Sequence, residues 1–237
     1  MGEVGVETLD PCIARCVKLG VANYTATARL LQQSLERLGD GVSTAALKMR
    51  LIRWRSRAPD HCYGLTCERL ARLLAETRIE LREGVTVITV PKAVFQRIEG
   101  LIPRLMVEAR LFNILQGVSG VTIIVDEEHA EALRRAAGEA LEELRGQAAL
   151  ILVSPREILE TPGFIAYIST LLAVNGINIT QVVSCYTDTI ILVSERDAPR
   201  AYRVLLDAVE AARRLSAPEI KRSSPEGHPG SPLITRD

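Results

Sequence analysis

Histidines, cysteines and paired carboxylates are the residue types that most often carry catalysis or metal binding, and their spacing in this sequence supports neither. The three histidines, His61, His129 and His228, fall in a loop, at a helix start and in a tail, with no triad pattern or His-x-x-x-His spacing. The acidic pairs Glu127-Glu128 and Glu142-Glu143 sit on stretches read as amphipathic helices, where solvated faces are expected. No Gly-x-Ser-x-Gly, Walker-type loop or dinucleotide fingerprint occurs, and Gly39-Asp40-Gly41 follows a helix, not the strand that a phosphate loop requires. Of the five cysteines, Cys12 and Cys16 share a helix face, Cys62 and Cys67 lie near a loop and Cys185 sits in a strand. The first four would make a zinc site only with a knuckle turn that the helical pair lacks, so buried, inert thiols are expected. The reading is of a chain that is not an enzyme and uses no metal and no cofactor.

Two other patterns do suggest chemistry. In Thr161-Pro162-Gly163-Phe164-Ile165, the proline ends a loop and the glycine lets the backbone turn tightly into a helix whose first amides stay unpaired; such amides bind a carboxylate. The same helix leaves through Asn175-Gly176-Ile177-Asn178-Ile179, with Gly176 suited to a left-handed cap. These glycines would also be there if they served turns alone. The second pattern is cationic: Thr44–Arg57 carries Lys48, Arg50, Arg53, Arg55 and Arg57 and no acidic residue. At 100° per residue Arg50, Arg53 and Arg57 share one arc beside a stripe of Leu47, Leu51 and Trp54. That face is either a DNA-contacting surface or simply solvated.

The elements that must position these residues change character along the chain. The first sixty residues read as helices: one follows the N-cap Asn23, and another, over 44–57, follows Ser43. Helix, glycine-containing turn and basic helix give a helix-turn-helix-like domain over 1–60. Residues 61–78 read as a linker with a connecting helix over about 66–77.

From there the order is strand, helix, strand, strand, helix, twice over. The first copy runs 85–90, 95–105, 111–116, 121–125 and 130–144; the second runs 148–153, 163–174, 179–185, 189–193 and 198–215. Val125–Ala130 lies over Val193–Ala198, an offset of 68 positions, so one domain is duplicated. The expected fold is α+β: the helical domain, then two ferredoxin-like βαββαβ units over 79–146 and 147–221, then a disordered tail over 222–237. One strand is ambiguous, since 148–153 suits either the end of the first unit or the start of the second. No convincing last strand follows, apart from 219–221.

The net charge is zero, so any nucleic-acid contact must come from a local patch. No apolar run approaches the roughly 20 residues a bilayer span needs, and the first residues lack a signal-peptide pattern. A cytoplasmic location and no membrane partner are expected.

The second copy resembles an ACT domain, the small-molecule-binding module that regulates amino-acid metabolism. Three motifs carry the likeness: Thr161-Pro162-Gly163, Asn175-Gly176-Ile177-Asn178-Ile179, and Ser184–Val193, which is similar to the aspartokinase-like branch through Thr187-Asp188 and the apolar strand after it. The resemblance implies that such units pair side by side, within a homodimer, and bind an amino acid at their interface. By position, Gly163, Phe164 and Ile165 would contact the ligand through the backbone, Asn175 and Asn178 would frame it together with Ile177 and Ile179, and Asp188, next to Thr187, would accept from its ammonium group. The first copy departs from the pattern, with Pro91-Lys92-Ala93 and Val107-Glu108-Ala109-Arg110 at the two motif positions, and is expected to be a packing partner. Asn23-Tyr24-Thr25-Ala26 and Ser43–Met49 are similar to segments of a group of archaeal regulators of amino-acid metabolism. The function implied is an amino-acid-sensing transcription regulator in which the ligand alters the spacing of basic helices across a dimer. A sensing subunit that docks onto an enzyme or another protein is the alternative.

Overall fold

The computed structural model describes residues 11–37, 41–57, 65, 67–138 and 140–217. It divides into two compact units, Met1–Tyr63 and Gly64–Asp237. The readings made for Gly39-Asp40, His61, Cys62, His228, the 219–221 strand and the 222–237 tail lie outside the described residues.

The first unit holds α1 (Pro11–Leu19), α2 (Tyr24–Arg37) and α3 (Thr44–Arg57). Both expected caps form: the Asn23 side-chain oxygen accepts from the amides of Thr25 and Ala26 at 3.1 Å, and Ser43 Oγ accepts from Ala46 at 3.3 Å. Val17, Ala28, Leu31, Leu35, Leu47 and Leu51 close a small core between the helices.

In the second unit α4 (Glu68–Glu76) runs into β1 (Arg78–Val90). There follow the short helices α5 (Phe95–Ile98) and α6 (Ile102–Glu108), β2 (Phe112–Gln116), β3 (Val121–Asp126), α7 (Glu127–Ala137), β4 (Glu142–Val153), α8 (Phe164–Val174), β5 (Gln181–Cys185), β6 (Asp188–Ser194) and α9 (Ala198–Ser216). The strands form one antiparallel sheet in the order β2-β3-β1-β4-β6-β5.

That order resolves the ambiguous strand. β4 does both jobs: it closes the first half as β2-β3-β1-β4 and opens the second. The fourth strand of the second half is β1, whose leading residues Arg78–Arg82 pair with Val153–Ala149. The alternation Ile79-Glu80-Leu81-Arg82, inside the expected first unit but ahead of its expected first strand at 85–90, is thus part of a central strand. Register shifts fall between Arg82 and Val87, next to Gly84 at φ 69°, and β4 carries Gly146 at φ 61°, a conformation glycine adopts without penalty. Across the shift the strand changes the face it buries. Ile79 and Leu81 pack with Leu70, Leu73 and Leu74 of α4 and with α8 and α9, whereas Val85 and Val87 join Ile124, Ala149, Ile190 and Leu192 in a cluster to which no described helix contributes.

Two helix boundaries differ from expectation. The helix predicted over 130–144 stops at Ala137, because Gly138 takes φ 74° and ends it. Glu142 and Glu143 therefore lie on β4, not on a solvated helix face. Hydrogen bonding from Arg145, with the charges of Arg134 and Arg145 behind it, holds the Glu143 carboxyl below its ordinary range, against the opposing effect of burial. The segment 95–105 is broken by a 3₁₀ turn at Glu99–Leu101, after which Pro103 occupies the first turn of α6.

The thiol expectation also fails. Cys12, Cys16 and Cys185 are exposed, and Cys67 is disulfide-bonded while its sulfur caps α4 by accepting from the Leu70 amide.

Because β1 completes both halves, a fragment spanning 142–217 loses its fourth strand and the α4 leucines. It is expected to show no cooperative thermal transition by circular dichroism, whereas a 65–217 fragment unfolds in a single step. A sharp transition in the shorter fragment would contradict the shared-strand arrangement.

Candidate functional site

The site is built where β4 hands over to α8. After Val153 the chain passes Pro155 into a 3₁₀ turn, Arg156–Glu160, and Thr161 Oγ1 donates to the Glu157 carbonyl at 2.7 Å to close it. The loop is anchored from beneath: the buried Ser154 and Thr77 hydroxyls lie 3.0 Å apart, and the Ser154 amide donates to the Thr187 carbonyl at 3.1 Å. Gly163 then takes φ 94° and begins α8 with no side-chain cap on the helix. The amides at the start of α8 therefore have no side-chain acceptor.

In front of them is a cleft of about 300 Å³, lined by Ile158, Leu159, Thr161, Gly163, Phe164, Ile165, Ala166, Ser184 and Tyr186. Its rim is apolar and open, with Leu159 56%, Ile165 41% and Tyr186 65% exposed. Tyr186 has φ 54°, the one described non-glycine residue with positive φ, in the two-residue turn joining β5 to β6. A tyrosine held there costs about 1–2 kcal/mol, and such strain concentrates where a side chain must be aimed. Beside the cleft, Thr189 pairs with Ser184 across the hairpin and is fully buried, and its hydroxyl has no hydrogen-bonding partner among the described residues. Helix-start amides, an apolar rim and the Ser184 and Tyr186 hydroxyls suit a small ligand carrying a carboxylate and an apolar portion.

Of the residues singled out from sequence, Gly163, Phe164 and Ile165 line this cleft, although the Phe164 ring is buried in the core. The helix-exit set does not join them. Asn175, Ile177, Asn178 and Ile179 lie at the other end of α8, roughly 16 Å away at 1.5 Å per residue. They have other work there. The Gly176 amide donates to the Ala173 carbonyl and the Ile177 amide to the Leu172 carbonyl, at 2.9 and 3.0 Å, a Schellman ending in which Ile177 and Leu172 share the core. Asn175 Nδ2 donates to the Leu171 carbonyl at 2.8 Å, Asn178 is exposed and Ile179 packs on the core. Thr187 and Asp188 lie at the cleft end of the sheet but are not in its lining, and the Thr187 hydroxyl is 3.4 Å from Asp188 Oδ1. Tyr186, Ser184 and Thr189 were missed. A bulky residue in a two-residue turn was the signal for the first of them.

The first half lacks the equivalent feature. Val94, which precedes α5, stays right-handed at φ −79°, so no left-handed entry opens that helix. Asp126, Glu128 and His129 have ligand atoms within 4.8 Å of one another, but Asp126 Oδ2 is already committed to the Arg110 and Leu111 amides.

In the helical unit, Lys48 and Arg53 are exposed and Arg50 is half-buried. Arg55 is exposed, and its Nη1 donates to the Tyr24 hydroxyl at 3.0 Å. The Arg57 side chain lies outside the described residues. The charge is unevenly spread: the first unit, Met1–Tyr63, contains nine Lys and Arg against six Asp and Glu, and all nine cations but only two of the acids lie within residues 11–57.

Residues 142–207, from β4 into α9, match the family model for the ACT domain. No curated protein matches the chain. Among solved structures it is similar to the aspartate kinase of Clostridium acetobutylicum, at 17% identity and a TM-score of 0.46, over 55% of this chain and 34% of that one. It is similar to the regulatory subunit of aspartate kinase from Thermus thermophilus, at 20% identity and a TM-score of 0.44, over 55% and 95%. It is also similar to a Vibrio cholerae protein of unknown function described as a possible transport protein, at 24% identity and a TM-score of 0.41, over 62% and 98%.

Gly163→Ala is expected to lower stability by about 1–2 kcal/mol and to abolish ligand binding at the cleft. Tyr186→Gly is expected to raise stability by up to about 1 kcal/mol by relieving the backbone while weakening binding. Denaturant unfolding measures both; a Tyr186→Gly protein less stable than the parent would show that its ring serves packing alone.

Proposed function

We propose that the chain is a regulator that senses an amino acid at the α8 start and acts on DNA through its helical unit, working as a homodimer and without catalysis of its own. The observation that carries the sensing half is the left-handed Gly163 opening uncapped amides onto an apolar cleft, inside the segment that matches the ACT domain. A free amino acid supplies the carboxylate for those amides and a side chain for the Leu159, Ile165 and Tyr186 rim.

The DNA half is supported by the cationic bias of residues 11–57, since a concentration of charge in one small unit produces phosphate attraction even when the whole chain is neutral. Exposed apolar side chains on α3, Met49 at 51% and Ile52 at 39%, favour the second reading, in which that helix meets an enzyme or another protein.

A thermal-shift screen of the full chain against the twenty amino acids is expected to single out one or a few, because ligand bound to the folded state raises stability by mass action. No shift with any of them removes the sensing claim. For the DNA half, affinity is expected to fall steeply with salt, and replacing Lys48 and Arg53 by alanine is expected to reduce the log-log slope by about one per residue. Absent or salt-insensitive binding, with co-purification of a nuclease-resistant protein partner, would favour the second reading.

A further inference from the structure

We infer that the helix reading DNA bases is α2, through Arg29 and Gln33, and that α3 braces it and contacts phosphates; this rests on the DNA-binding reading above. The connection between α1 and α2 is short and fully described. Between α1 and α2 there are four residues, Gly20 to Asn23, with Gly20 at φ 75°. Helix-turn-helix joints use three or four residues, commonly with a glycine, and the helix after the joint enters the major groove.

The first connection is also a built joint. The Gly20 and Val21 amides donate to the Val17 and Cys16 carbonyls at 3.1 Å. A side chain on Gly20 would overlap the Arg55 guanidinium, which reaches from α3 across the turn to the Tyr24 hydroxyl at the head of α2. Lys18 of α1 stands 5.5 Å over the Trp54 ring of α3. Two cations and an aromatic thus brace the α1–α2 turn from the α3 side, with one Arg55 guanidinium nitrogen committed to Tyr24.

What α2 then presents has the chemistry for base edges. Ala28, Leu31 and Leu35 bury one side, and Ala26, Arg29 and Gln33 are exposed on the other, one above the next. Arginine pairs in bidentate fashion with guanine, glutamine does so with adenine, and an alanine methyl contacts the thymine methyl group. Neither Arg29 nor Gln33 has a hydrogen-bonding partner among the described residues, so both are available.

The test is selection by the full chain from a double-stranded DNA library with a randomised core of about 20 base pairs, room for two half-sites a helical turn apart. Anisotropy titrations on the enriched duplex follow. Arg29→Ala and Gln33→Ala are each expected to weaken binding about five-fold or more and to flatten preference at one base position. Arg29→Lys, which keeps the charge and the helix, is expected to lose the guanine preference while retaining salt-dependent binding. If these variants keep the selected sequence and Lys48→Ala or Arg53→Ala changes it, α3 is the reading helix and the inference is overturned while DNA binding stands. If the parent chain enriches nothing, the DNA-binding reading fails and the inference with it.

Discussion

The antiparallel pairing of β1 with β4 is the interaction on which the second unit depends. Each strand is long enough to serve two βαββ arrangements at once, 13 residues in β1 and 12 in β4. Each carries a positive-φ glycine, Gly84 or Gly146, near the register shifts. Without those kinks, continuous alternation would put Val85 on the same face as Leu81, and one half would expose the side chains the other buries. The shared strands thus leave two hydrophobic clusters under helices and a third to which no described helix contributes, all on one sheet.

The candidate site depends on that pairing at one remove. The tail of β4 is held between the start of β1 and β6, and Ser154, one residue further on, is tied to Thr77 on one side and to Thr187 on the other. The loop entering α8 therefore starts from a fixed point, and Gly163 converts that position into a helix start with uncapped amides facing the β5–β6 turn. The first half has the same order of elements but enters α5 through a right-handed Val94. One backbone angle separates a helix start whose uncapped amides open onto a cleft from one entered through a right-handed residue.

Much of this was legible in the sequence because local chemistry dictated it. Asn23 and Ser43 cap the helices read after them, Gly163 and Gly176 punctuate α8, and the apolar runs of β3, β4 and β6 read as strands. What escaped has identifiable causes. The segment Ile79–Arg82 alternates with a strand period, yet the first strand was expected only from Val85, and pairing with β4 is what makes the segment central. Leu141–Leu144 has helix-forming residues, and tertiary pairing to β1 overrides that propensity. The resemblance groups the Asn-Gly-Ile-Asn-Ile exit with the glycine turn, and within this chain an 11-residue helix separates the two. The zero total charge hides a local cationic stretch over residues 11–57, while the first unit as a whole carries nine Lys and Arg against six Asp and Glu.

The most direct test of the central claim is to follow backbone amide resonances while the amino acid that stabilises the chain is added. The account predicts that the largest shifts fall on Phe164, Ile165 and Ala166, with Tyr186 moving in step and the Asn175–Ile179 amides nearly still. Shifts concentrated at the C-terminal end of α8, or in the α5 region of the first half, would contradict it.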